Sequence, residues 1–439
     1  MLQEIILSIS SSERSKNIKP SPTLAVSAMA AKLRAEGKDI ISLSAGEPDF
    51  DTPEYIKNAA IEALNKGQTK YTAVDGTPEL KQAIVNKFQK ENNLSYKNNQ
   101  ILVSCGAKHS LYNLFQAVLD PGDEIILPAP YWASYPDMAI LAGAVPITIT
   151  TTITENFKIN AENLSEVISD RTKLLVLNSP SNPSGTNYNE NELAAIAEVL
   201  LKHPNIAVVT DDIYEHIFWG SDKFANILNI CPELYDRTVV VNGVSKAYSM
   251  TGWRIGYAAG PEEIIKQMKK IQSQSTSNPN SIAQAAAVSA LNGKQDFIKE
   301  CVNTFKDRHD FIINEMKKID GIKIIESEGT FYTFPDMNNI INRMDKISND
   351  IELAEFFLDH AKVAMVPGSA FGAPGCMRIS FATSMESIKE GIKCHLVLEE
   401  RVPDSYKKKA SGNNFLYHLL GAQSLHVVNS PELVQQKMN

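Results

Sequence analysis

Cysteine is scarce in this chain, with five in 439 residues at Cys105, Cys231, Cys301, Cys376 and Cys394, odd in number and far apart. Such spacing excludes a disulfide framework and a CxxC pair, so a reducing compartment, the cytoplasm, is expected, and no metal site is. Long hydrophobic runs are also missing, and nothing approaches the ~20 apolar residues of a membrane-spanning helix. The apolar patch in MLQEIILSIS is short, lacks a basic flank and carries Glu4, unlike a secretory leader. Positive charge is in deficit: 43 Lys and Arg against 51 Asp and Glu leave a formal net charge of −8. With no long basic run to offset it, a nucleic-acid partner is disfavoured. There is no GxGxxG or Walker loop, which argues against a dinucleotide or nucleoside triphosphate. Internal repeats and low-complexity tracts are absent as well.

What is present is a chain long enough for two or three domains, with 43% hydrophobic residues to build their cores. Strand-like runs fall at 101–103, 124–127, 174–177, 206–209 and 238–241. Between them lie helical periodicities, such as Leu80, Ala83, Ile84 and Phe88 behind the N-cap signal Thr77-Pro78-Glu79. A further helix carries Leu193, Ile196, Ala197, Leu200 and Leu201. Strands alternating with helices over this span predict an α/β fold, a mostly parallel sheet wrapped by helices. From about residue 296 onward, longer charged helices with a few short strands suggest a second, smaller domain.

In an open parallel sheet, ligands bind at the carboxyl ends of the strands. The suspects are therefore Cys105–Lys108, Pro130–Trp132, Asn178–Pro183, Asp211–Tyr214 and Ser245-Lys246. Lys246 follows the β-branched run Thr238–Val241, where desolvation lowers an amine's pKa and favours Schiff-base chemistry. Arg254, eight residues on, suits a phosphate. A lysine for an aldehyde and an arginine for a phosphate describe a site for pyridoxal phosphate (PLP); a loop lysine with a structural arginine is the alternative. The Gly106-Ala107-Lys108 turn either admits a phosphate to a helix N-terminus or is an ordinary βα turn.

Asp211 serves equally as a helix N-cap or as the partner of a protonated ring nitrogen, with Tyr214 in reach of the ring's phenolic oxygen. Trp132, expected to open a helix after Pro130, can cover a flat ring or pack in the core. Asn182, biased to an extended or turn conformation by Pro183, can donate to a phenolate or simply occupy a turn. Arg378, flanked by apolar residues in a strand-like segment, wants a carboxylate, either a substrate's or a structural one.

Together these residues resemble fold-type I PLP enzymes, and most closely the bacterial aspartate aminotransferase group of class I aminotransferases. The likeness runs from about Lys16 to about Lys393 and includes KPSPTLAVSA, LSAGEPDFDTP, QTKYTAVDGTPELK, PYWASYPDM, NSPSNPSG, DDIYEH, SKAYSMTGWRIGY, QSTSNPNSIAQ, VPGSAFG and MRISFATS. The resemblance implies that Lys246 carries PLP as an aldimine and moves the substrate's α-proton. It gives Asp211 the ring nitrogen, Tyr214 and Asn182 the ring oxygen, and Trp132 the ring face. Gly106, Ala107, Lys108, Arg254 and Ser245 receive the phosphate, and Tyr71 reaches the phosphate of a neighbouring subunit in a homodimer with shared sites. Arg378, assisted by Asn182 and the backbone at Gly46, clamps the α-carboxylate. Lys108, Ser21 and Thr23 serve the second carboxylate of aspartate or 2-oxoglutarate.

The implied reaction is ping-pong transamination between those two substrates. Prephenate or aromatic amino acids, a PLP lyase and a PLP-binding scaffold without catalysis remain as alternatives. His109 departs from the glutamine common in the family. The implied domains are an N-terminal extension (1–17), a small α+β domain (18–49 with 296–393) and a large PLP-binding domain (50–295). Residues 394–439 lose the helical pattern that relatives carry there; they contain a proline and the basic cluster Lys407–Lys409, and read as an atypical tail.

Overall fold

The structure, a computed structural model, describes residues 10–20, 22–344 and 346–392, together with the backbone of Leu396–Glu399 and Leu425–Val428. Its centre is a seven-stranded sheet built from β1 (Ile101–Ser104), β2 (Glu124–Ala129), β3 (Val145–Thr150), β4 (Thr172–Asn178), β5 (Ala207–Asp211), β6 (Thr238–Gly243) and β7 (Gly256–Ala259). The order across the sheet is β1-β7-β6-β5-β4-β2-β3. Only β7 runs antiparallel to its neighbours, β1 and β6; the other pairings are parallel.

The strands other than β3 are mostly apolar because both of their faces are covered. Alternate residues enter opposite layers, as the pleat requires. Ile101, Val103, Ile126, Leu175, Leu177, Val208 and Val240 join one core. Leu102, Ile125, Leu127, Leu174, Val176, Val209, Val239 and Val241 join the other. Each such side chain stabilises the fold by about 1.5–3 kcal/mol relative to exposure.

Local signals fix the flanking helices. Thr77 accepts the Leu80 N–H, with Pro78 as the first residue of Pro78–Asn92, and left-handed Asn93 ends that helix. Asn189 and Glu192 form a capping box at the start of Glu190–Lys202. Gly256 carries no side chain for a spatial reason: a Cβ there would lie 2.1 Å from the Ala107 nitrogen, at the start of helix Ala107–Val118.

A second body of packing gathers Phe305, Ile312, Phe331, Ile340, Leu353, Met377, Phe381 and Ile388. It holds a three-stranded antiparallel sheet in which Met377–Ser380 lies between Val366–Pro367 and Tyr332–Thr333. Ile41–Ser42 pairs in parallel with Val363–Ala364, tying the N-terminal segment to the C-terminal third. Tyr214 and Ile217, from the loop after β5, also enter this core and stitch it to the large sheet.

Three expectations change. β3 and β7 were not anticipated: β3 is half exposed, and β7 is the small-residue run GYAA, so neither shows a strong apolar signal. The helix expected at Trp132 starts at Ser134. No helix begins at Asp211, which ends β5 and leads into a turn, so its N-cap reading falls. Helix Met385–Ile392 is followed in the tail by Leu396–Glu399, paired in parallel with Leu425–Val428; the remainder of 394–439 lies outside the described residues.

Candidate active site

The carboxyl ends of β1, β2, β4, β5 and β6 open onto one cleft of about 620 Å³ between the large sheet and the second core. Its wall includes Gly46, Ala107, Lys108, Trp132, Asn182, Asp211, Tyr214, Ser245, Lys246, Arg254 and Arg378, with Thr23 at the N-terminal side. Of the expected residues that are described, Gly106 and Tyr71 are not among those lining this wall, although Gly106 directly precedes Ala107. Tyr71 lies elsewhere with 92% of its surface exposed, and Ser21 falls outside the described residues.

Lys246 Nζ donates to the Gly46 carbonyl at 2.6 Å. Burial lowers its pKa to about 8, and the charges of Arg378 and Arg254 act in the same direction while Glu47 and Asp211 oppose them. The neutral fraction near neutral pH is therefore larger than that of an exposed lysine. Asp211 is buried, and its Oδ2 accepts from Tyr135 Oη at 2.7 Å while Oδ1 has no partner among the described residues. Burial pushes the carboxyl up to about 6, against the Tyr135 bond, the Ile213 N–H and the attraction of Lys246. An unpartnered buried carboxylate oxygen is costly unless a donor arrives.

Across the β4–β5 register, Asn178 faces Asp211. Its amide donates to the Asp211 carbonyl at 2.7 Å, and its oxygen accepts the Asn182 N–H at 2.8 Å. Asn182 Oδ1 in turn accepts from Arg378 Nη1 at 3.1 Å, and Nη2 donates to the Ser44 carbonyl at 2.9 Å. Arg378 is 2% exposed, yet has no carboxylate partner among the described residues, and its Nε is unpartnered. The structural ion pair considered from sequence does not form there. Instead the guanidinium sits 4.4 Å from the Tyr332 ring centroid and 5.0 Å from that of Phe371.

At the other end of the cleft, Gly106 (φ +89°) opens helix Ala107–Val118 with no side-chain cap, and a Cβ there would meet Arg254 Nη2 at 2.3 Å. Glycine thus leaves room for the guanidinium over the open helix N-terminus, a cradle suited to a phosphate. Lys108 Nζ lies 4.8 Å from the Trp132 ring, and burial together with the Arg254 charge lowers its pKa. His109 Nδ1 accepts the Cys105 N–H at 3.4 Å, and Nε2 is 3.4 Å from Ser275 Oγ. Burial lowers its pKa, consistent with a neutral ring accepting that bond.

The family described as aminotransferase class I and II matches residues 38–393. The chain belongs to the class I and II aminotransferases. It is 55% identical over 387 residues to an aspartate/prephenate aminotransferase of Nitrosomonas europaea, covering 87% of this chain and 98% of that protein. It is 48% identical over 384 residues to an aspartate aminotransferase of Rhizobium meliloti, covering 87% and 94%. The crystal structure of aspartate aminotransferase from Rhizobium meliloti superposes with a TM-score of 0.85 at 48% identity, covering 87% of this chain and 97% of that one. The Thermus thermophilus aspartate aminotransferase with maleate does so with 0.83 at 41%, covering 87% and 98%.

The protein is thus a transaminase of fold-type I, and its cofactor is PLP. The residues present fit that group: Asp211 Oδ1 awaits a donor, Lys246 is a depressed amine, and Gly106 with Arg254 shapes an anion cradle. Three cleft residues had been assigned no role from sequence. The signal for Tyr135 was only its closeness to Trp132 in PYWASYP. Asn178 was among the strand-end suspects. Tyr332 lacked any local signal, because it reaches the cleft from the small three-stranded sheet.

Proposed function

We propose that this transaminase moves the amino group between L-aspartate and 2-oxoglutarate, with glutamate as the reverse donor, in ping-pong order. The observation that carries this reading is the buried Arg378, without a carboxylate partner among the described residues, in the same cleft as the depressed amine of Lys246. The names of the relatives support the choice of aspartate.

When bound, PLP supplies an electron sink for the pair left as the substrate's Cα–H bond breaks. The neutral amine of Lys246 takes that proton and later returns it one atom away. Asp211, whose Oδ1 has no partner among the described residues, would accept from the ring N–H and keep the ring charged, while Tyr135 holds its other oxygen. Tyr214 and Asn182 would donate to the ring oxygen, and Trp132 would cover the ring. Gly106, Ala107, Lys108, Ser245 and Arg254 bind the phosphate. Arg378 takes the α-carboxylate, with Asn182 and the backbone at Gly46 beside it. Lys108 and Thr23, with Ser21, meet the distal carboxylate.

Tyr71, 92% exposed, is proposed to reach a neighbouring subunit's phosphate, which makes the working form a homodimer. The N-terminal residues 18–49 and residues 296–393 form the small unit that closes over substrate against 50–295. The reaction is assigned to the cytoplasm on cysteine usage, and among the described residues no helix is long and apolar enough to cross a membrane.

The test is the visible absorption of purified protein loaded with PLP. L-Aspartate should abolish the visible band in favour of a near-ultraviolet one, and 2-oxoglutarate should restore it. A visible band indifferent to aspartate overturns the substrate, and no band overturns the cofactor assignment. Prephenate is a second acceptor worth the same assay, because several relatives at 51–55% identity are named for it.

A further inference from the structure

Tyr332 is the cleft residue whose surroundings ask for more than packing. It begins the short strand Tyr332–Thr333, which pairs antiparallel with Met377–Ser380 so that Tyr332 stands opposite Ser380. Arg378, two residues from Ser380, therefore shares the face of Tyr332, on the diagonal where long side chains meet. The guanidinium of Arg378 lies 4.4 Å from the Tyr332 ring centroid. The Tyr332 hydroxyl is 3.1 Å from that of Tyr214, and either can donate. Both phenols are buried and line the cleft.

A phenol has one proton to donate and can accept as well. If Tyr214 spends its proton on Tyr332, none is left for a ligand oxygen in the cleft. If Tyr332 donates, the single proton of Tyr214 is directed to the ligand. We propose that Tyr332 is a positioning residue that joins the two halves of the site. Its hydroxyl donates to Tyr214, which leaves the single Tyr214 proton for the ring oxygen of bound PLP and polarises that O–H into a stronger donor, while its ring carries the guanidinium of Arg378. This rests on the transaminase reading above and deepens it. The charged groups facing the pair are Arg378 and Glu47 beside Tyr332, and Arg378, Asp211 and Lys246 beside Tyr214; all stay in place in the variants below.

A donor to the ring oxygen stabilises the deprotonated chromophore, so weakening it raises the pH midpoint of the visible absorption change. Tyr332→Phe keeps the ring and removes only the hydroxyl. In PLP-loaded protein it should raise that midpoint by roughly a few tenths of a pH unit, the polarising share of one hydrogen bond. Tyr214→Phe should raise it further, and the double variant no more than Tyr214→Phe alone. Tyr332→Phe should leave KM for L-aspartate within about twofold, whereas Tyr332→Leu, which removes the ring under Arg378, should raise it roughly tenfold. An unchanged midpoint in Tyr332→Phe overturns the proposal, as does a shift that adds fully to that of Tyr214→Phe. If the unsubstituted protein forms no visible band with PLP, the transaminase reading itself fails. A normal titration in that protein with no response to Tyr332→Phe sinks Tyr332 alone.

Discussion

Asp211 ends β5 and Glu215 lies in the turn that follows; both are buried acids, yet their surroundings differ. Glu215 accepts from Lys87, from Asn92 Nδ2 at 2.6 Å and from Asn242 Nδ2 at 2.8 Å. Burial raises its pKa, but the charges of Lys87 and His216 and the hydrogen bonds outweigh it and hold the carboxyl down to about 2. Asp211 has one side-chain hydrogen bond, one oxygen without a partner among the described residues and only the lesser attraction of Lys246, so burial prevails and the carboxyl rises to about 6. The saturated acid serves the fold and the unsaturated one is left open to a ligand. Glu91, Glu215 and His216 also converge closely enough to suggest a metal, but the ammonium of Lys87 already bridges the two carboxylates.

The contrast can be broken at several points. The largest effect should come on the open side: Lys246→Ala should lower kcat by roughly 10³-fold or more while leaving the unfolding midpoint nearly unchanged. On the closed side, Lys87→Met strands a buried carboxylate and should cost about 3–5 kcal/mol in denaturant unfolding. The folded Glu215 pKa lies below its ordinary 4.5, so its contribution is full above that value and is lost as pH falls toward about 2. Lys87→Met should therefore flatten the acid limb of the stability curve.

Arg378→Lys loses the planar fork and should raise KM for aspartate by roughly 10- to 100-fold in steady-state assays, with the fold intact. Asp211→Asn should act with opposite signs on stability and function. An acid whose folded pKa exceeds its ordinary 3.8 is penalised as pH rises through about 6. The substitution should thus stabilise the cofactor-free protein at pH 8 by about 1–3 kcal/mol, have little effect near pH 3.5, and cripple turnover. Denaturation at the two pH values, with and without PLP, checks it. The smallest effect belongs to Tyr135→Phe, which frees Asp211 Oδ2 and should weaken PLP retention several-fold by equilibrium dialysis, about 1 kcal/mol.

Much of the sheet was legible because a strand buried on both faces is a short apolar run, as in 101–103, 174–177 and 238–241. β3 escaped because it is a half-exposed edge strand, and β7 because glycine and alanine carry little strand preference. Lys246, Asp211 and the Gly106 turn could be suspected from position alone, since the ends of parallel strands collect ligands. The N-cap alternative for Asp211 could only fall once the following turn was seen.

Local order in the sequence thus determined which segments become strands and helices and which residues stand at their ends, because pleat period, helix period and caps act within a few residues. Tertiary structure decided what those residues are chemically. Arg378 meets Asn182 across 196 positions, Tyr214 meets Tyr332 across 118, Asp211 meets Tyr135 across 76, and Glu215 meets Lys87 across 128. A side chain's charge and its capacity to donate or accept depend on burial and on the neighbours within a few ångströms, and in this protein the fold assembles those neighbours from distant parts of the chain.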